Sequence, residues 1–147
     1  MKNKIFWLIM LILILTVSCG EKNNTSGKDG SKEIVLRFLW WGSESRHKAT
    51  LEAIKLFEEK NPGIKIKAEY GGTDGYFQKL STQLTGNTAP DIMQVDYIWL
   101  FNFSKNGDGF YDINLLKDEF NLANYTKEDL SYTTINGKLN AIPVGMN

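Results

Sequence analysis

Between Ile34 and Asn106 the apolar pattern switches back and forth between the period of a strand and that of a helix. Ile34-Val35-Leu36-Arg37-Phe38-Leu39-Trp40 is almost continuously apolar, with β-branched and aromatic members. Such a run is expected of a central strand covered on both faces. Trp41-Gly42-Ser43-Glu44-Ser45 breaks it, and from Arg46 to Lys60 the spacing becomes helical. Ala49, Ala53, Ile54 and Phe57 would share the inward face, opposite Lys48, Glu52, Lys55 and Glu59. Asn61-Pro62-Gly63 stops that helix. Ile64, Ile66, Ala68 and Tyr70 then alternate with Lys65, Lys67 and Glu69, which predicts a strand with one wet face, near a sheet edge.

The alternation continues. Gly71–Gly75 reads as a loop, and Phe77, Leu80 and Leu84 mark a second amphipathic helix ended by Gly86. Ile92 to Val95 gives a third, short, buried strand that delivers Asp96 at its carboxyl end. A third helix is predicted from Tyr97 to about Asn106. Strand and helix in alternation imply βαβ units, hence a parallel sheet with right-handed crossovers. Beyond it, Asp112 can cap a short segment holding Leu115, Leu116 and Phe120. Thr126-Lys127-Glu128-Asp129 is a capping-box pattern with Asp for Glu. Ile135-Asn136-Gly137-Lys138-Leu139 is a hairpin signal.

The amino terminus has a different logic. Lys2 and Lys4 precede an unbroken apolar run from Ile5 to Leu15, followed by Thr16-Val17-Ser18-Cys19-Gly20. A basic start, an apolar stretch of about 7–15 residues and small residues after it describe a secretory signal. Val17-Ser18-Cys19 resembles the end of a bacterial lipoprotein signal, which implies cleavage after residue 18 and lipidation of Cys19. Thr16 stands where that signal usually has leucine. Residues 19–33 hold almost nothing apolar and read as a flexible tether. Residues 34–147 are left for one folded unit, in keeping with a chain of 147 residues.

Composition removes several function classes. The formal charge is zero with no long run of either sign, so nucleic acid is not an expected partner. One cysteine excludes an internal disulfide, and one histidine argues against a histidine metal cluster. Gly71–Gly75 lacks the Lys-Ser/Thr of a P-loop and the spacing of a dinucleotide site. No cofactor or metal is called for, and no nucleophile–base set suggests catalysis.

In an open α/β sheet, ligands bind outside the carboxyl ends of the strands. Those ends and their loops collect Trp40, Trp41, Glu44, Arg46, His47, Tyr70, Tyr76, Asp96 and Trp99. Aromatic faces beside a few charged groups suit sugars, whose rings stack while their hydroxyls are hydrogen-bonded. Bland roles stand beside each. Trp40 and Trp41 point to opposite faces, so one of them is core. Asp96 can cap the third helix, Trp99 and Phe101 can be core, and Arg46 and His47 can be a solvated helical turn.

Trp40-Trp41-Gly42, Asn61-Pro62-Gly63-Ile64-Lys65-Ile66 and Tyr76-Phe77-Gln78-Lys79-Leu80 resemble extracellular solute-binding proteins of bacterial ABC sugar importers. So do Gly86 to Asp96 and Asn136-Gly137-Lys138-Leu139 with Ile142-Pro143. The resemblance implies an α/β, type II periplasmic-binding-protein-like fold of two lobes around a cleft. It implies a carbohydrate ligand, in the form of an oligosaccharide, delivered to ABC permease subunits. It places the protein on the extracytoplasmic face of the membrane, held there by its lipid anchor. Positions matching Trp41, Glu44, Arg46, His47, Tyr76, Asp96 and Trp99 would face the sugar. Such proteins are much longer than this chain, so the expectation is a partial amino-terminal lobe with a mainly parallel sheet flanked by helices, its second lobe absent. A secreted carbohydrate-active enzyme fragment and a non-functional truncated lobe are the alternatives.

The lipoprotein expectation is directly testable. The protein produced in its bacterial host should partition into the detergent phase, and Cys19→Ala should release or mislocalise it. An unchanged distribution on fractionation would refute lipidation.

Overall fold

The computed structural model describes residues 32–145. The expected signal peptide, Cys19 and all but the last two residues of the tether lie outside these. Three parallel strands form the main sheet: β1 (Ile34–Trp41), β2 (Ile64–Gly71) and β3 (Ile92–Met93), in the order β2-β1-β3. Helix α1 (Glu44–Lys60) joins β1 to β2, α2 (Tyr76–Thr85) joins β2 to β3, and α3 (Tyr97–Phe103) follows β3. This is the α/β arrangement that the sequence predicts, with β1 central and β2 at an edge. Among the described residues no helix is long and apolar enough to cross a membrane.

Register explains how side chains are dealt to the two faces. Ile34 pairs with Ile64 and the ladder runs in step to Trp40↔Tyr70 and Trp41↔Gly71. On the other side Phe38 pairs with Ile92 and Leu39 with Met93. Successive side chains of a strand point to opposite faces. Arg37, Leu39 and Trp41 therefore share one face of β1, and Phe38 and Trp40 the other. The first of these faces carries the core, where Leu39, Tyr76 and Leu80 are buried and Leu84, Met93, Val95 and Phe103 pack against them.

The chain after α3 is short-ranged. Asp112 caps a 3-10 turn at Ile113–Leu116 by accepting from the Asn114 N–H, and a second turn spans Leu122–Asn124. The expected capping box forms at α4 (Lys127–Ser131): the Thr126 hydroxyl accepts from the Asp129 N–H and the Asp129 carboxylate accepts from the Thr126 N–H. The expected hairpin forms from β4 (Thr134–Ile135) and β5 (Lys138–Leu139). Asn136 and Gly137 both adopt positive φ, 50° and 80°, as the turn type that matches strand twist requires. Buried Asn140 ties the hairpin to the end of α3, accepting from the Ser104 hydroxyl at 2.6 Å and donating to Gly107 O at 3.1 Å.

Some expectations are corrected. The amino-terminal half of β1 is not covered on both faces: Ile34 and Val35 are more than half exposed. Helix α1 turns His47, Thr50, Ile54 and Glu58 inward, while Ala49, Ala53 and Phe57 lie exposed. The reason is polar. The Glu58 carboxylate accepts from the Ile66 N–H at 2.7 Å and pairs with Lys65, which docks the carboxyl end of α1 over β2. Strand β3 is shorter than predicted, although Gln94 N–H still donates to Leu39 O at 2.8 Å. Helix α3 stops at Phe103, because Ser104 turns its hydroxyl to Asn140 and the Gly109 N–H.

The position of the short β3 depends on Arg37. Its Nε donates to Glu69 Oε1 at 2.7 Å, and its Nη1 donates to Thr88 O at 2.8 Å and to Ala89 O at 3.3 Å. Its backbone N–H donates to Asp91 Oδ2 at 2.8 Å. One residue thus joins β1, β2 and the loop that enters β3. The hydrogen bond from Arg37 holds the Glu69 carboxyl below its ordinary range. A depressed carboxyl stabilises the fold above its unfolded pKa, and that stabilisation is lost as pH falls through the folded value. Arg37→Met should therefore lower the denaturation midpoint at neutral pH, and the gap to wild type should narrow as the medium becomes acidic. Urea unfolding followed by circular dichroism at several pH values checks both. A gap independent of pH would count against this ion pair.

Candidate functional site

The carboxyl end of the sheet is where the helix amino termini and strand ends meet. Strand β1 ends at Trp41, β2 at Gly71, and the chain leaving β3 passes through Gln94 and Val95 to Asp96. Trp41 lies 4.8 Å from Tyr76 and 5.4 Å from Trp99 between ring centroids, and Tyr76 and Trp99 stack at 6.1 Å. Phe77 abuts Trp99 edge-on at 5.1 Å. Tyr76 is the buried member, only 4% exposed, while Trp41 and Trp99 are half-buried. The cluster is a floor with two rings above it.

Tyr76 is held by its hydroxyl, which contacts Gln94 O at 2.8 Å and Leu39 O at 3.2 Å. Burial pushes the phenol well above its ordinary pKa, partly offset by the hydrogen bond to Gln94. The group therefore stays a neutral donor that links β1 to the segment after β3. Asp96 takes its bland role as N-cap of α3, with Oδ1 accepting from the Ile98 N–H at 3.1 Å. Its Oδ2 is outside that bond. Arg46 is exposed, and its Nη1 lies 3.3 Å from the Gln94 side-chain amide, which also meets the Trp41 backbone.

The seven predicted residues do not form one cluster. Trp41, Tyr76, Trp99, Arg46 and Asp96 gather around Gln94 at the end of the sheet. His47 and Glu44 go with Trp40, on the other face of β1. The Trp40 Nε1–H donates to His47 Nδ1 at 3.1 Å, and the His47 ring lies 4.6 Å from that of Tyr70. His47 is buried, and one of its nitrogens serves to fix Trp40. Glu44, His47, Lys48, Leu51 and Tyr70 line a shallow groove between α1 and β2. The alternation of Trp40 and Trp41 is what divides the set. Between those two tryptophans, Trp40 is the core residue, at 2% exposure.

Gln94 is the residue that sequence reading misses. It stands as the polar position in Ile92-Met93-Gln94-Val95, and that interruption was the available signal. Among the described residues no group of three His, Cys, Asp or Glu side chains converges as metal ligands would.

Residues 41–135 match the family model of the bacterial extracellular solute-binding proteins, and the chain belongs to that family. A solved periplasmic oligogalacturonide-binding protein from Yersinia enterocolitica, in complex with saturated digalacturonic acid, is 46% identical with a TM-score of 0.75. The match covers 77% of this chain and 28% of that one. A de novo designed cysteine esterase gives the same TM-score and identity over 78% of this chain and 28% of its own, on an engineered scaffold. A Brucella abortus protein with the provisional name of a binding protein is 31% identical over 98 residues, 63% of this chain and 22% of that protein. The chain thus spans about a quarter of the length of these relatives. Its fold is a type II periplasmic-binding-protein arrangement, and its relatives are mostly solute-binding proteins.

The role of Tyr76 as a strut makes a prediction. Tyr76→Phe keeps the packing but removes the link from the α2 start to Gln94 O and Leu39 O. It should cost about 1 kcal/mol of stability, the ordinary net worth of such a bond. Denaturant titration measures it, and a change near zero would show that the hydroxyl carries no load.

Proposed function

We propose that these residues form one wall of the sugar-binding cleft of an ABC importer's substrate-binding component. The protein captures an oligosaccharide outside the membrane and delivers it to the permease subunits. The observation that carries this reading is the placement of Trp41 and Trp99 at the carboxyl end of a parallel sheet, with Arg46, Gln94 and Asp96 around them. The half-buried rings offer stacking faces, and the polar groups beside them offer hydrogen bonds to hydroxyls. The sugar ligand of the Yersinia relative supports the class of solute.

In this reading Tyr76 and His47 act from beneath, the first supporting Trp41 and the second Trp40. Glu44 serves a more distant sugar unit, if one extends toward Tyr70. The reading is one of capture without turnover. Glu44 and Asp96 are the candidate carboxylates for glycoside hydrolysis, but Glu44 lies with the groove of the other face and Asp96 is engaged in capping α3. Cys19 supplies the lipid anchor, which keeps the binding unit close to the permease on the extracytoplasmic face.

Titration with a panel of oligosaccharides, followed by tryptophan fluorescence and NMR, tests the reading. Sugar should perturb Trp41 and Trp99, and Trp41→Ala should weaken binding by roughly threefold to tenfold, the worth of one aromatic contact. No perturbation by any sugar at millimolar concentration would overturn it, as would release of hydrolysed product.

A further inference from the structure

Arg46 stands on the first turns of α1, and its direction depends on two neighbours. Gly42 has no left-handed backbone conformation to explain it. What it provides is room: a Cβ at this position would meet Arg46 Cδ at 2.5 Å and Cγ at 3.0 Å. The aliphatic stem of Arg46 lies across the bare backbone at the end of β1. At its far end Nη1 reaches the Gln94 amide, whose Oε1 accepts from the Trp41 N–H at 3.3 Å; with the amide turned about, its oxygen accepts from Nη1 at 3.3 Å and its nitrogen donates to Trp41 O at 3.2 Å. The stem of the exposed Arg46 thus runs over Gly42, next to Trp41 in the chain, toward the Gln94 amide.

Its charge is unanswered. Arg37 has Glu69, but among the described residues no carboxylate forms an ion pair with Arg46. An amide oxygen occupies one donor and leaves the positive charge in place. A guanidinium has five N–H donors in a planar fork that fits a carboxylate with two parallel bonds. Neutral hydroxyls would use only part of that geometry. Asp96, at the same end of the sheet, directs one oxygen into the amino end of α3.

We infer that Arg46 reads a carboxylate on the bound sugar, so that the wall selects uronic-acid units over neutral pyranoses. This rests on the carbohydrate reading above and adds to it the residue that sets specificity. Gly42 and Gln94 are positioning residues for Arg46.

The test is an NMR titration of the whole chain, up to millimolar concentration, with digalacturonate, its methyl ester and neutral digalactose. Wild type should bind digalacturonate about tenfold more tightly than the ester, the factor expected of a charged hydrogen-bonded pair. That ratio should shrink with added salt. In Arg46→Met, and separately in Gly42→Ala with Arg46 still present, the ratio should fall toward one. Circular dichroism confirms that each variant is folded, and Arg46→Met alone decides the matter if Gly42→Ala is not. An undiminished acid preference in Arg46→Met overturns the assignment. So does equal binding of acid and ester by wild type, which leaves the carbohydrate reading intact. No shift with any of the three sugars overturns the assignment, and silence across the wider oligosaccharide panel overturns the carbohydrate reading as well.

Discussion

Strand β3 has only two ladder residues, so side chains of its neighbours hold the segment from Gly86 to Asp96 in place. Arg37 grips the beginning, through the carbonyls of Thr88 and Ala89 and the Asp91 carboxylate. Tyr76 grips the end, through Gln94 O. Both grips fall on the same face of β1, where Arg37, Leu39 and Trp41 succeed one another at every second residue. That face runs from an ion-paired clamp, through the core, to an aromatic wall. The candidate site lies at its far end, where Gln94 Oε1 accepts from the Trp41 N–H.

The same alternation puts Trp40 and its partners on the opposite side. The indole N–H there needs an acceptor once buried, and His47 Nδ1 supplies it. The indole N–H can only donate, so Nδ1 is spent as its acceptor. The adjacent pair Arg46–His47 is thus split between two tasks. Arg46 stands out over the end of the sheet, and His47 turns in to satisfy a buried tryptophan. On a helix, consecutive residues point about 100° apart, so nearness in sequence argued for a shared role that the geometry denies.

Where sequence and structure agree, the signal was periodic or chemical and local. The strands, the three long helices, the Thr126 box and the Asn136-Gly137 turn all rest on patterns within a few residues. The inward face of α1 was not legible, because its docking is set by Glu58 reaching the Ile66 N–H on another strand. Hydrophobicity favoured Ala49, Ala53 and Phe57, yet helices of small units often leave apolar residues exposed. The role of Arg37 was likewise invisible. A single cation inside an apolar strand looks like a solvated exception until its partners at Glu69 and Thr88 are known. Trp41 and Asp96 stand at strand ends as the pattern places them, whereas Trp99 lies within α3. Gln94 was not legible, since its meaning depends on Trp41 and Arg46, each roughly fifty residues earlier in the chain.

For the proposed sugar-binding reading, the rigidity of the aromatic cluster matters most. Trp41, Tyr76 and Trp99 already hold one another at ring-contact distances, with Tyr76 locked at its hydroxyl and Phe77 against Trp99. Rings fixed in this way lose little rotamer freedom when a ligand stacks on them, so more of the contact energy remains as affinity. The stem of Arg46 lies over Gly42, where a Cβ would collide with it. The core and the wall are one construction. The half-buried indoles of Trp41 and Trp99 pack directly against the cluster that buries Leu39, Tyr76 and Leu80.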